Sequence, residues 1–361
     1  MLRELSEAFG VPGYEDDVRA AMARHLKPFA EVTYDRLGSI IARKQGSAAE
    51  PRVMLPAHMD EVGLIVRQIT SDGFLRFVTA GGWWSQVMLG QRWVVRTRKG
   101  DVAAYTGPRA PHLLTEEERK KQLEPKDMFL DIGARNEEDA LEMGARPGDP
   151  VVPFGPFANL GNGRLLAKAW DDRVGCALLI EVLRELAQCD HPNTVYAVGT
   201  TQEEAGLLGA QTSAFAVAPQ VAIVAEVTVA SDVPGSTQDG SYSELGKGVA
   251  LCIRDAGMIP NRRLREFVAG VAAEAGIPTQ YITMERGTTD GTRVQVHGQG
   301  VPTLYIGPPA RYVHSHAGLI DEEDFDGAVK LLVEVTRRLD QETVASLTPI
   351  LDYPPLAVQG A

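Results

Sequence analysis

Thr194-Val195-Tyr196-Ala197-Val198-Gly199-Thr200-Thr201-Gln202 runs directly into Glu203-Glu204 and then into Ala205-Gly206-Leu207-Leu208-Gly209-Ala210. The first nine residues have the β-branched and aromatic bias of a buried strand. The last six read as the start of a helix. Acids at such a junction stand at the carboxyl end of a strand, where open α/β sheets place their ligands. Two carboxylates this close repel, so one takes up a proton or a cation. A metal site satisfies both: one acid binds the metal and its neighbour handles protons on a water. Two solvated acids in the first turn of a helix fit the same residues, because negative charge is stabilised there.

The segments on either side repeat the strand-to-helix alternation. Val53-Met54-Leu55-Pro56-Ala57 is a short apolar strand ending at His58-Met59-Asp60-Glu61, and Val62-Gly63-Leu64-Ile65-Val66 resumes the pattern. Residues 173–186 form an apolar helix, 221–225 a strand, 261–275 a helix, and 278–283 and 302–306 strands. Residues 321–339 form a final helix with Asp321 as its N-cap. This alternation predicts an α/β fold with a mixed sheet covered by helices. Between about 71 and 162 the character changes to glycines, prolines and short β-like runs, among them 74–78, 92–96 and 102–105. Such a run predicts a small inserted β-barrel-like domain. The expected boundaries are 1–69 plus 164–361 for a discontinuous α/β domain and 70–163 for the insert.

Other acids and histidines fall at comparable places. His58 and Asp60 are i and i+2, so in an extended segment they share a face. Asp60 is then placed to accept from the imidazole and orient it. Asp171-Asp172 precedes the apolar helix; one acid caps a helix, and two exceed what capping needs. Glu226 follows the strand 221–225, and His314 follows the strand 302–306. Each feature alone also fits a plain structural role. Together, His58, Asp171, Glu204, Glu226 and His314 supply two imidazoles and three carboxylates. That set holds two divalent ions if one carboxylate bridges, and its mixed chemistry suits zinc, cobalt or manganese.

The bulk properties narrow the class. The chain has 361 residues, long enough for two domains, with 44% hydrophobic and 23% charged residues, as in soluble globular proteins. A net charge of −12 and the lack of a Lys/Arg-rich block argue against nucleic acid and anionic membranes as partners. Cys176, Cys189 and Cys252 are odd in number and lack CxxC spacing, so neither a disulfide framework nor a thiolate zinc site is expected. The N-terminal residues show no apolar signal region and no stretch reaches membrane-span length, so the expectation is a cytoplasmic protein.

The ordered motifs resemble those of the tetrahedral (TET) aminopeptidases, the family that includes glutamyl and deblocking aminopeptidases. The resemblance runs through 6–15, 57–63, 110–114, 169–173, 201–206, 287–291 and 311–315. It implies a dinuclear metallo-aminopeptidase that removes N-terminal residues from short peptides by means of a water held between two divalent ions, zinc before cobalt or manganese. It further implies that His58, Asp171, Glu204, Glu226 and His314 are ligands, with Asp171 bridging and joined to Asp172 by a cis peptide. Glu203 is the implied general base and Asp60 the residue that orients His58. The family usually carries Asp where this chain has Glu226, so a weaker site there is expected. Glu203, Asp290 and Glu61 are candidates, by position only, for receiving the free α-amine of a substrate, and Arg293 and Arg311 are candidates either for receiving acidic side chains or for plain surface pairs. The resemblance also implies dimers that build a hollow dodecamer through the inserted domain. Gly81-Gly82-Trp83-Trp84 offers aromatics either for such an interface or for the small β core. Two alternatives stay open: a metal-dependent deacylase or other amidohydrolase on this scaffold, and a non-catalytic assembly protein.

Overall fold

A computed structural model describes residues 1–236 and 240–348. The chain folds as a mixed α/β structure around one large mixed sheet. Its eight strands lie in the order Glu31–Tyr34, Ile40–Gln45, Thr194–Thr200, Arg52–His58, Val221–Ala225, Thr303–Gly307, Val249–Arg254 and Thr279–Thr283. The four strands from Thr194–Thr200 to Thr303–Gly307 are mutually parallel. The flanking strands Ile40–Gln45 and Val249–Arg254 join them antiparallel.

Strands covered on both faces should be continuously apolar. All of Val221–Ala225 and Thr303–Gly307 is buried, as is Arg52–His58 after its first residue. The helix Trp170–Leu186 packs on this sheet, and the helix Glu322–Thr336 packs on that helix. Val174, Leu178, Val182 and Leu186 are among the residues it contributes to the main core. Parallel strands share a direction, so their carboxyl ends open on one edge. His58 stands opposite Thr200 there, and Ala225 opposite Ile306.

A second sheet has five antiparallel strands in the order Leu75–Ala80, Gly63–Ile69, Pro150–Pro153, Gln91–Thr97 and Gly100–Thr106. It has its own core, including Leu64, Leu75, Trp93, Val95, Leu130 and Val151. Gly63–Ile69 pairs within this sheet, although the expected boundary at 69 put it with the α/β part. Its apolar pattern marks a strand but carries no information about which sheet receives it. The outer strands of this sheet are bridged by one short segment: Leu75 pairs with Leu130, and Tyr105 with Asp131.

Candidate metal centre

Each candidate side chain is delivered by a strand end or by the loop that follows one. His58 ends its strand, and its Nδ1 lies 3.0 Å from the backbone carbonyl of Asp60. A carbonyl only accepts, so Nδ1 carries the proton and Nε2 presents a lone pair. That Nε2 is 2.9 Å from Asp171 Oδ1. Two acceptors at this distance require a proton or a cation between them.

The Asp60 carboxylate has a second job beside the expected one. It stands 3.7 Å from the His58 ring, and its two oxygens also accept from the backbone N–H groups of Glu203 and Glu204, each at 2.9 Å. Asp60 therefore orients His58 through its carbonyl and fixes the acid doublet through its side chain. Both partners come from the turn that follows the neighbouring strand, Thr194–Thr200, which local spacing does not reveal.

The doublet does not sit in a first helical turn. Gly206 and Leu207 both donate to the Glu203 carbonyl, and the helix Leu208–Val217 starts later than its apolar pattern suggests. Gly206 at φ 130° supports that turn. The solvated helix-start reading of Glu203-Glu204 is thereby excluded: Glu203 is 8% exposed.

Asp171-Asp172 divides in a comparable way, and its peptide bond is cis. Asp172 is fully buried and accepts from the backbone N–H groups of Gly175, His58 and Val227 at 3.0, 3.2 and 3.3 Å. Its bond to Gly175 caps the regular helix. Asp171 turns the other way, with Oδ2 3.1 Å from His314 Nε2. His314 Nε2 is also 3.1 Å from Glu204 Oε1.

Donor atoms from His58, Asp171 and Glu226 lie within 4.8 Å of one another, and so do those from Asp171, Glu204 and His314. Asp171 belongs to both groups. His58, Glu203 and Glu204 form a third such group. Glu226 Oε2 is buried with no hydrogen-bond partner. An orphaned buried carboxylate oxygen is costly unless a cation or proton meets it.

Electrostatics report the same deficit of positive charge. Burial pushes Glu203 well above the usual carboxylate range, and Asp290, Glu204 and Asp60 add repulsion. Burial also raises Glu226 strongly, with Glu203 and Asp172 adding to it. Burial works against charge on His314, yet Asp171 and Glu204 push it up to about 11. Burial would raise Asp171, but the His314 and His58 imidazoles beside it hold it below the usual range. Crowded acids that charge their histidines and keep their own protons fit divalent cations with imidazole and carboxylate ligands.

The second sheet reaches this centre through Gly81-Gly82. Gly81 has φ 80°, and a Cβ there would stand 2.9 Å from Glu204 Oε2. A side chain at Gly81 would therefore press on the acid doublet. Trp83 donates from its indole to the Gly63 carbonyl and packs on Trp93, whereas Trp84 is 59% exposed.

Asp290 and Arg311, two of the substrate candidates, already have partners in the fold. Asp290 is buried and accepts from the Thr200 hydroxyl; burial moves its carboxyl up to about 6. Arg311 forks onto Asp232 with bonds of 2.8 and 2.6 Å, so its guanidinium is already engaged. One important group escaped the sequence reading. Arg173 is fully buried and donates to the carbonyls of Leu5, Ala8, Met59 and Gly10 and to the Glu61 carboxylate. It ties the N-terminal segment to the His58–Asp60 turn. Its place directly after Asp171-Asp172 was the available signal.

A model of the M42 glutamyl aminopeptidase family matches residues 38–331. The chain belongs to this family. It is accordingly a hydrolase, a metal-dependent aminopeptidase. A TET aminopeptidase from the marine sediment archaeon Thaumarchaeota archaeon SCGC AB-539-E09 is 46% identical, with a TM-score of 0.94 over 96% of this chain and 98% of that one. The lysyl aminopeptidase of Pyrococcus furiosus is 36% identical over 348 residues, 94% of this chain and 98% of its own. The TET1 peptidase of Pyrococcus horikoshii, which can assemble into a tetrahedron or a large octahedral shell, is 32% identical, with a TM-score of 0.85 over 94% of this chain and 98% of that one.

Proposed function

We propose that this M42 aminopeptidase works through two divalent ions, one held by His58, Asp171 and Glu226 and the other by Asp171, Glu204 and His314. The observation that carries this reading is the Asp171 carboxylate, shared between two separate donor groups. When bound, the ions supply Lewis-acid polarisation of the scissile carbonyl and lower the pKa of a water. Zinc suits this donor set best, with cobalt and manganese as substitutes.

The chain's own residues do the proton work. Glu203 Oε2 lies 3.9 Å from His58 Nε2, beside both groups yet hydrogen-bonded to neither imidazole. It takes a proton from the attacking water and delivers it to the leaving amine. Asp60 holds the Glu203 and Glu204 backbones so that one acid faces His314 and the other stays free. Asp172 keeps the His58 backbone in place.

The domain division belongs to the same proposal. Residues from about 63 to 153 form an inserted barrel-like domain, supported by the five-stranded order and by the segment at 130–131 that bridges both outer strands. The remainder forms the catalytic domain. Assembly into a dodecamer through dimers is proposed from the TET relatives, with exposed Trp84 as a contact. Short peptides are the substrates. Three cysteines without a disulfide support a cytoplasmic setting, and among the described residues no helix is long and apolar enough to cross a membrane.

The test compares a peptide with a free N-terminus and its N-acetylated counterpart, each with and without a chelator. Cleavage of the free peptide alone, lost on chelation and restored by zinc, cobalt or manganese, is expected. Preference for the acetylated peptide would establish a deacylase instead.

A further inference from the structure

The cleft above the centre has a volume of about 650 Å³. Asp171, Glu203, Glu204 and Glu226 line its floor. Its walls carry apolar groups, among them Leu207, Val227, Val229, Met284 and Val313. Among the described lining residues, Arg286 is the one lysine or arginine. It is exposed, and among the described residues no ion pair engages it. The proposed pair of divalent ions would offset the four negative charges of the floor. The Arg286 guanidinium would then be the uncompensated charge on the wall.

The loop that presents Arg286 is anchored on both sides. Met284 donates its backbone N–H to the Arg254 carbonyl at 2.8 Å, and the Gly287 carbonyl accepts from Ala256 at 3.0 Å. Thr289 bonds the Asp255 carboxylate at 3.1 Å. A guanidinium on an anchored loop that lines a cleft with apolar walls is suited to a carboxylate, which it binds in a bidentate fork. Arg311, another candidate for this task, is committed to Asp232, and Arg293 does not line this cleft.

We propose that Arg286 is a specificity-determining residue that receives a substrate carboxylate at the wall of the cleft. This rests on the aminopeptidase reading, in which the floor holds the N-terminal residue. The carboxylate has two possible sources: the side chain of an acidic first residue, or the C-terminus of a very short peptide. Family membership does not decide between charges, since the family is named for glutamyl cleavage and a relative for lysyl cleavage.

Two ratios test the proposal, each measured within one enzyme preparation so that the active fraction cancels. The first is kcat/KM for a glutamyl anilide over a glutaminyl anilide. The second is kcat/KM for Ala-Ala over Ala-Ala-amide. Arg286→Ala is expected to lower one ratio about 10-fold or more, the scale of a charge-assisted hydrogen bond. Arg286→Glu should lower it further, and Arg286→Lys should restore part of it. The ratio that responds identifies the source of the carboxylate. If both ratios in Arg286→Ala stay within about twofold of the parent enzyme, the proposal is overturned. A parent enzyme inert toward every unblocked substrate would instead overturn the aminopeptidase reading.

Discussion

Two acid doublets, Asp171-Asp172 and Glu203-Glu204, look alike in the sequence and are divided differently by the fold. In the first, the doublet supplies its own anchor: Asp172 collects three backbone N–H donors, while Asp171 faces two imidazoles. In the second, neither acid serves the backbone. A third residue, Asp60, does so for both, leaving Glu204 to face His314 and Glu203 to stand apart. An acid whose oxygens are filled by N–H groups holds the structure. An acid left to face imidazoles or other acids is available for chemistry.

The sharpest way to break this division is Asp171→Asn. One carboxylate serves both donor groups, so its loss should remove both ions and all measurable turnover. The apo fold should persist, because Asp171 caps nothing. Metal analysis beside a thermal melt reads both outcomes. Asp172→Asn should do the reverse, since an amide nitrogen would be turned toward N–H donors. Leaving such donors unsatisfied costs about 1–3 kcal/mol, seen as a lowered apo melting temperature. A Tm drop for Asp171→Asn as large as that for Asp172→Asn would erase the distinction.

Within the second doublet, Glu203→Gln should lower kcat by about 10²–10⁴-fold, the range of general acid–base catalysis, with both ions retained. Loss of metal together with activity would make Glu203 a ligand, in line with the third donor group it forms with His58 and Glu204. Asp60→Asn should be milder, because one of its oxygens still accepts. Losses of about 10–100-fold in activity or metal affinity are typical of residues that orient ligands. The effect should appear in kcat, since the Glu203 and Glu204 backbones would loosen together.

The legible parts of the molecule were those where a signal is local. The central strands announce themselves because burial on both faces makes them continuously apolar, as in Val221–Ala225. Five candidate ligands could be chosen because each follows such a strand or precedes a buried helix. The edge strand Glu31–Tyr34 was silent: it is mostly exposed and has no apolar alternation. The use of Asp60 was hidden for a different reason. Its partners are 143 and 144 residues away in the chain, and nothing near Asp60 marks their arrival. The same holds for Gly63–Ile69, a clear strand whose sheet is decided by partners at 75–80 and 150–151.

The smallest expected effect bears on Glu226, the proposed ligand position where the family resemblance favours Asp. The structure argues against simple weakening by the longer side chain. Glu226 joins the His58 and Asp171 donor group as it stands. Its backbone is fixed, because its N–H donates to Ile306 at 3.1 Å and Gly307 presses on its carbonyl. A Cβ at Gly307 would fall 1.6 Å from that oxygen, so the segment is closely packed there. Glu226→Asp would withdraw the carboxylate by about 1.5 Å, one carbon–carbon bond, and the backbone cannot follow. Affinity at that site should fall, by less than about tenfold because two of three donors remain in place. Titration of the apo protein with zinc measures it. Tighter binding by the Asp variant would mean that the strand end adjusts freely, and that Glu226 was the weaker ligand after all.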